Sequence, residues 1–246
     1  IINNFMNRKI LIFVLVCITV SLYSQEYLIS QKAKAEKSKI LNYEFSVSYP
    51  QIKDYSGNIT GMNMFNRLIE DKMDALRDTF VVWMKDWDST TYNKEMGSYY
   101  EAGSKVYYKG NKLISVQFFE GYYFSGAAHP NNSSFSINYD LDNHRELSLN
   151  DLLKSGWEKK VSELCIADIQ KQKRVDGIEP DSWLSEGAGP KAENFSVFNI
   201  TNEGLLITFV TYQVGSYAEG PSEVLLSYKE ISDLIPAAGY LGSFLK

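Results

Sequence analysis

The stretch Gly121-Tyr122-Tyr123-Phe124-Ser125-Gly126-Ala127-Ala128-His129-Pro130-Asn131-Asn132 joins two segments that read as strands, and it holds one of only two histidines in 246 residues. Its aromatic first half favours a pleated, half-buried surface and is expected to be extended. Gly126 admits positive φ and Pro130 lacks a backbone donor, so the second half is a corner. His129 on that corner is either a chemical group (ligand or general base) or a polar residue satisfying a tight turn. Composition leaves both open.

Upstream, Leu41, Tyr43, Phe45, Val47 and Tyr49 alternate with polar residues. That period of two predicts a strand, ended by Pro50. After a turn cluster at 54–58 the period changes. Phe65, Leu68/Ile69, Met73, Leu76, Phe80 and Met84 recur every three or four residues, which predicts an amphipathic helix over 62–83. Its methionines read as adaptable core filler. Segments 97–108, 112–124 and 133–139 read as successive strands, the first two joined by a turn at Lys109-Gly110-Asn111.

Downstream, Asp140, Asp142, Asn143 and Glu146 evoke calcium, but the sharp-turn Gly and the full oxygen-ligand spacing are missing. Ser148 and Asn150 resemble a helix cap. Residues 157–173 form a second helix, with Val161, Leu164/Cys165 and Ile169 on its buried side. A Gly-, Pro- and acid-rich loop at 175–194 is anchored by Trp183-Leu184. Strands at 195–200, 204–212 and 223–227 follow, with a long Gly-rich connection at 212–221 and a short helix at 228–234. This order is not the regular alternation of a doubly wound sheet. It predicts α+β: antiparallel sheets with helices packed on one face, in two small intertwined subdomains. We place these at 40–125 and 126–236, with a linker at 26–39 and an unpatterned tail at 237–246.

The first 25 residues read as a signal peptide. Met6-Asn7-Arg8-Lys9 is a basic n-region. The apolar run that follows, at about 13 residues, is shorter than the roughly 20 that span a bilayer and suits an h-region. Cleavage near Gln25 or Glu26 predicts a secreted or periplasmic protein with no membrane span. It leaves Cys165 as the sole cysteine, so no internal disulfide supports the fold. Losing Arg8 and Lys9 takes the net charge from −5 to about −7. Such a chain has no field to attract nucleic acid, and it suits a cationic partner.

Most reaction classes lack their residues. No Gly-x-Ser-x-Gly elbow, HExxH or phosphate-binding Gly-rich loop is present. Cys165 on a core face is not a nucleophile, and His129 and His144 lack zinc spacing. We therefore expect no metal and no cofactor. Paired carboxylates for glycan cleavage remain open, since sequence spacing does not give separation in space. Tyrosine is plentiful near the two Gly-containing loops, and its flat ring and polar tip suit protein interfaces or sugar rings.

Ser125-Gly126-Ala127-Ala128-His129-Pro130-Asn131, with Glu146-Leu147-Ser148-Leu149-Asn150-Asp151-Leu152-Leu153 after the next strand, resembles the C-terminal domain of the RsiV-like family. So does Tyr212-Gln213-Val214-Gly215-Ser216-Tyr217-Ala218-Glu219-Gly220 ahead of Glu223-Val224 and Tyr228, and the resemblance covers about residues 40–236. In that family such domains form the extracytoplasmic part of lysozyme-binding anti-sigma factors, or precede a peptidoglycan deacetylase domain. The resemblance implies an exported, non-enzymatic binding module of the cell envelope for a lysozyme-like cationic protein or a peptidoglycan-type glycan. The alternatives are a carboxylate-dependent cell-wall glycan hydrolase and a structural envelope protein without a small ligand. The expected binding residues are Tyr122, Tyr123, Phe124, His129, Asn131, Tyr212, Tyr217 and Glu219. No catalytic residue is carried over.

Overall fold

The computed structural model describes residues 27–53, 58–87, 96–174 and 180–245. The segment read as a signal peptide, most of the turn cluster at 54–58 and the start of the loop at 175 lie outside the described residues. In chain order the elements are β1 (Leu28–Ser38), β2 (Tyr43–Lys53), α1 (Ile59–Asp86), β3 (Ser98–Lys109), β4 (Leu113–Tyr123), β5 (Asn131–Asp140) and β6 (Arg145–Glu146). Then come α2 (Leu149–Leu152), α3 (Trp157–Lys173), α4 (Ser182–Gly187), β7 (Phe198–Ile200), β8 (Gly204–Phe209) and β9 (Ser222–Ser227). Strands β1 to β6 form one sheet in that order, and β7 to β9 form a second. The class is α+β, as the pattern predicts.

Three expectations for the large sheet change. The large sheet is mixed, because β2 and β3 run parallel from Tyr43↔Ser98 to Val47↔Ala102. A parallel pair needs a long crossover, and α1 supplies it. Secondly, the segment read as a linker contains β1, paired antiparallel with β2 along its whole length. Its apolar content is low because it is an edge strand. Lys32 and Lys34 reach Glu70 at 2.8 Å and Asp74 at 2.6 Å on α1, so charges do what apolar residues do elsewhere. Thirdly, Pro50 does not end β2. The β3 ladder stops at Val47, so Pro50 faces a strand on β1 only, where a missing N–H is tolerated.

Helix α1 begins at Asn58, whose side chain accepts from Gly61 N–H at 2.8 Å and donates to the Leu141 carbonyl at 2.7 Å. A Cβ on Gly61 would lie 1.9 Å from that carbonyl, so only glycine lets the helix start so close to the β5–β6 turn. Phe65, Ile69, Met73, Phe80 and Met84 are buried against Tyr43, Phe45, Val47, Tyr49 and Tyr100 of the sheet. Phe80 meets Tyr43 edge-on at 5.5 Å, and Phe45 stacks on Tyr100 at 5.2 Å.

The second core joins α3 to the small sheet. Trp157, Val161, Cys165 and Ile169 pack with Phe198, Ile200, Leu205, Ile207 and Phe209. The expected short helix at 228–234 is instead a turn ending in a 3₁₀ segment at Ser232–Leu234. The tail does have a pattern: Leu241 is fully buried, and the Phe244 and Tyr228 rings stack at 4.6 Å.

The two sheets meet through buried polar groups. On β4, Ile114, Val116 and Phe118 face α1, while Ser115 and Gln117 face the other way, and all five are fully buried. Ser136 Oγ accepts from the Phe198 N–H at 3.0 Å, and Asn138 Nδ2 donates to the Phe198 carbonyl at 2.8 Å. Ser115 Oγ accepts from the Ile200 N–H at 3.1 Å and from Asn199 Nδ2 at 2.9 Å. Gln117 Nε2 donates to Thr208 Oγ1 at 3.2 Å. The edge of β7 that β8 leaves free is thus satisfied by side chains of the large sheet.

Asn138→Leu strands the Phe198 carbonyl and is expected to cost about 1–3 kcal/mol. Urea unfolding would measure it. A variant as stable as the wild type would show that this seam carries no net stability.

Candidate functional site

The expected site residues divide by the pleat, because successive side chains of a strand point to opposite faces. Tyr122 and Phe124 lie on the α1 side. There they meet Trp83 at 5.8 and 6.1 Å, and Phe124 stacks on Trp87 at 4.8 Å. With Asp86 these rings line a shallow recess of about 380 Å³. Tyr123 lies on the opposite face, stacked on Tyr99 at 5.9 Å.

On that opposite side the loops at 121–132 and 212–221 meet. The rings of His129 and Tyr217 stack at 4.1 Å, and Tyr217 Oη donates to the Pro130 carbonyl at 3.0 Å. His129 Nδ1 lies 2.8 Å from the same carbonyl. A carbonyl only accepts, so Nδ1 carries the proton and His129 spends it on the corner it occupies. Tyr217 leads to Tyr212 at 5.6 Å, and Tyr212 stacks on Trp183 at 6.2 Å. Tyr99 is close enough for the Tyr217 phenol to help raise its pKa, behind burial and the Glu101 carboxylate. A strip of aromatic rings therefore runs from Trp183 through Tyr212, Tyr217 and His129 towards Tyr99 and Tyr123.

Its outer end is well exposed and firmly held. Trp183 and Tyr212 are 43% and 46% exposed. Trp183 stands on α4, capped by Asp181, which accepts from the Leu184 N–H at 2.8 Å. The neighbouring Leu184 is buried and is the true anchor of this loop; Trp183, expected to share that role, faces out. Gln213 Nε2 donates to the Gly187 carbonyl at 3.0 Å and the Asn194 carbonyl at 2.8 Å, tying the loop to α4. The approach is so close that a Cβ on Gly187 would lie 1.8 Å from the Gln213 carbonyl. Tyr212 itself adopts a left-handed φ of 71°. That conformation costs a non-glycine residue about 1–2 kcal/mol, and here it turns the ring outward onto Trp183.

Two expected residues do other work. Glu219 closes a capping box on Ser216 and pairs with Lys173 at 2.7 Å. The Lys173 ammonium, then the Ser216 N–H and hydroxyl, hold its carboxyl down at about 2. Asn131 opens β5 opposite Tyr122 and is half-buried. Trp183 and Tyr99 were not among the expected binding residues. Trp183 stood in a loop without period, and the alternation that places Tyr99 beside Tyr123 does not reveal which strands pair.

Among the described residues no cluster of three His, Cys, Asp or Glu side chains is placed to hold a metal. The acidic turn at 140–146 is self-contained. Asp140 accepts from the Asp142 and Asn143 N–H groups, Asn143 Nδ2 and Tyr240 Oη. Burial alone would raise its pKa, but these hydrogen bonds bring it below the ordinary value. Burial pushes the Cys165 thiol up to about 12.

Residues 150–229 match the family model described as "Protein of unknown function (DUF3298)". Over 212 residues the chain is 24% identical to "Peptidoglycan-N-acetylmuramic acid deacetylase PdaC" of Bacillus subtilis, covering 84% of this chain and 43% of that relative. The chain thus spans less than half the relative's length. A crystal structure of a DUF3298 family member from Bacteroides fragilis aligns at 15% identity and TM-score 0.65, over 89% of this chain and 96% of that one. Another, from Pseudomonas aeruginosa, aligns at 14% identity and TM-score 0.56, over 86% and 93%. These two establish a shared fold. Among the described residues no helix is long and apolar enough to cross a membrane.

Two outcomes follow. The Glu219 carboxyl has a lowered folded pKa, so its contribution is complete above its ordinary 4.5 and is lost as pH falls towards about 2. Hydrogen exchange at Ser216 should show protection fading across that window, and Glu219→Ala, which removes the acceptor, should remove it at neutral pH. Equal protection in the variant would count against the cap. Cys165 should resist iodoacetamide at pH 8 in the folded protein and react once unfolded.

Proposed function

We propose that the chain is an exported, non-enzymatic binding module of the cell envelope. It holds a peptidoglycan-type glycan on the strip formed by Trp183, Tyr212, Tyr217 and His129. The observation that carries this reading is the exposed Trp183–Tyr212 pair, kept in place by Gln213 against a backbone cost at Tyr212. Flat exposed rings of this kind bind the apolar faces of sugars, and their polar tips reach hydroxyls. The peptidoglycan deacetylase among the relatives points to the same class of ligand.

The hydrolase alternative has less support. A retaining or inverting mechanism needs two carboxyl groups roughly 5–10 Å apart. Glu186 is the carboxylate lining the recess under Trp183 and Tyr212, and Asp86 the one lining the recess under Trp83. Glu219, ion-paired and held at about 2, has no proton to donate at neutral pH. A purely structural envelope role gives no reason for the exposed, strained Tyr212.

A lysozyme-like cationic protein is the second reading, favoured by the net charge of −5. Charge of that sign speeds encounter more than it tightens a complex.

Sedimentation with purified insoluble peptidoglycan, and a pull-down with lysozyme, separate these readings. Retention on peptidoglycan should fall about tenfold or more in Trp183→Ala/Tyr212→Ala at unchanged thermal stability. No retention of the wild type on peptidoglycan would end the glycan reading, and retention on lysozyme alone would replace it with the second.

A further inference from the structure

The small sheet covers only part of the outer face of the large one. Along β4 the cover stops between Gln117, fully buried under Thr208, and Phe119, which is 40% exposed. Beyond that point the face opposite α1 carries a single row of small or polar residues across five strands. The register runs Ala35↔Ser46, Ser46↔Glu101, Glu101↔Gly121 and Gly121↔Asn132. Neighbouring strands lie about 4.8 Å apart, so the row is about 19 Å long. Phe119, opposite Gly103, stands on one side of it, and Tyr99, opposite Tyr123, on the other. Four residues of strand separate Phe119 from Tyr123, about 13 Å. The trough holds about 550 Å³ and is lined by Ser46, Ser48, Glu101, Gly103, Phe119 and Asn132, while Tyr99 and Tyr123 stand next along the strands, outside its lining.

This hollow exists because its floor lacks side chains. A Cβ on Gly103 would meet nothing within 4 Å, and one on Gly121 would meet the Glu101 carboxylate at 3.3 Å. Ser46, Ser48 and Asn132 offer hydroxyl and amide groups along it. Lys34 and Glu120, at its border, are engaged with Asp74 and with the Tyr100 hydroxyl. Glu101 remains as an exposed hydrogen-bond acceptor. The trough is therefore bordered by the Phe119 ring and floored by backbone and small polar groups, with Glu101 exposed on it. The Tyr99–Tyr123 pair, two residues along the strands from Glu101 and Gly121, is where the Trp183–His129 strip ends.

We propose that this trough is a second glycan subsite, which takes further sugar units of a strand already held on the Trp183–Tyr212–Tyr217–His129 strip. The inference rests on the reading of that strip as a glycan platform. The Phe119 ring in the trough and the Tyr99–Tyr123 pair beside it receive sugar faces, and Glu101, Asn132 and the serines receive hydroxyl and acetamido groups. The site reads length: a short ligand uses the strip alone, and a long strand uses both.

Gly103→Leu tests this. The space above Gly103 accepts the side chain, and leucine favours a strand more than glycine does, so the sheet should keep its thermal stability. Affinity is measured by titration calorimetry with a peptidoglycan disaccharide and with a long soluble glycan strand. The wild type should bind the long strand about tenfold more tightly than the disaccharide. Gly103→Leu should abolish that gain and leave the disaccharide affinity unchanged. Phe119→Ala, which adds no bulk, should reduce the gain in the same direction. A wild type with no gain, or a gain that survives both variants, overturns the trough and leaves the strip standing. Loss of lysozyme binding in Gly103→Leu with the glycan gain intact would assign the trough to a protein and overturn the proposal. A wild type that binds neither glycan overturns both readings.

Discussion

An unpaired strand edge buried against another sheet leaves backbone N–H and C=O groups without water, and each costs about 1–3 kcal/mol unless something bonds it. Strand β7 is such an edge. Ser115, Ser136 and Asn138 satisfy it from the large sheet, and Gln117 continues the contact to β8. These directional bonds fix where the small sheet sits in a way that an apolar face would not. Everything attached to that sheet inherits the position: α3 behind it, the loop at 212–221 beyond β8, and α4 held to that loop by Gln213.

The aromatic strip follows from this placement. His129 belongs to the corner between β4 and β5, and Tyr217 to the loop between β8 and β9, so they are brought together only by docking one sheet on the other. Because that docking covers β4 as far as Gln117 and not Phe119, it also leaves the outer trough open beside the strip. One polar seam thus determines both the platform and the uncovered surface next to it. The glycines and Tyr212 are the local cost: Gly187 permits the close approach of α4, and Tyr212 accepts a left-handed backbone to face Trp183.

Where side-chain periodicity meets a core, the sequence was readable. The alternation around Phe45 and the three-to-four spacing from Phe65 to Met84 mark β2 and α1 because each buries one apolar face. Cys165 was identified as core for the same reason, and its burial keeps the thiol protonated. Strand β1 was missed because an edge strand pinned by Lys32 and Lys34 has no apolar period to detect. The tail was missed because Tyr240, Leu241 and Phe244 insert singly into a core made by distant residues.

The site divides the same way. Sequence alone marked the corner at His129 and the loop at 212–221, since Gly, Pro and clustered Tyr are local signals of turns and amphipathic surface. It also showed that the Gly-x-Ser-x-Gly, HExxH and phosphate-loop motifs are missing, and left paired carboxylates open. Only the tertiary structure decided that the two loops touch, that Tyr122 and Phe124 face α1 while Tyr123 faces the strip, and that Trp183 joins from a third segment. The reason is physical: a turn is specified by a few adjacent residues. A surface assembled from five segments is specified by strand pairing and by the bonds that dock one sheet on another.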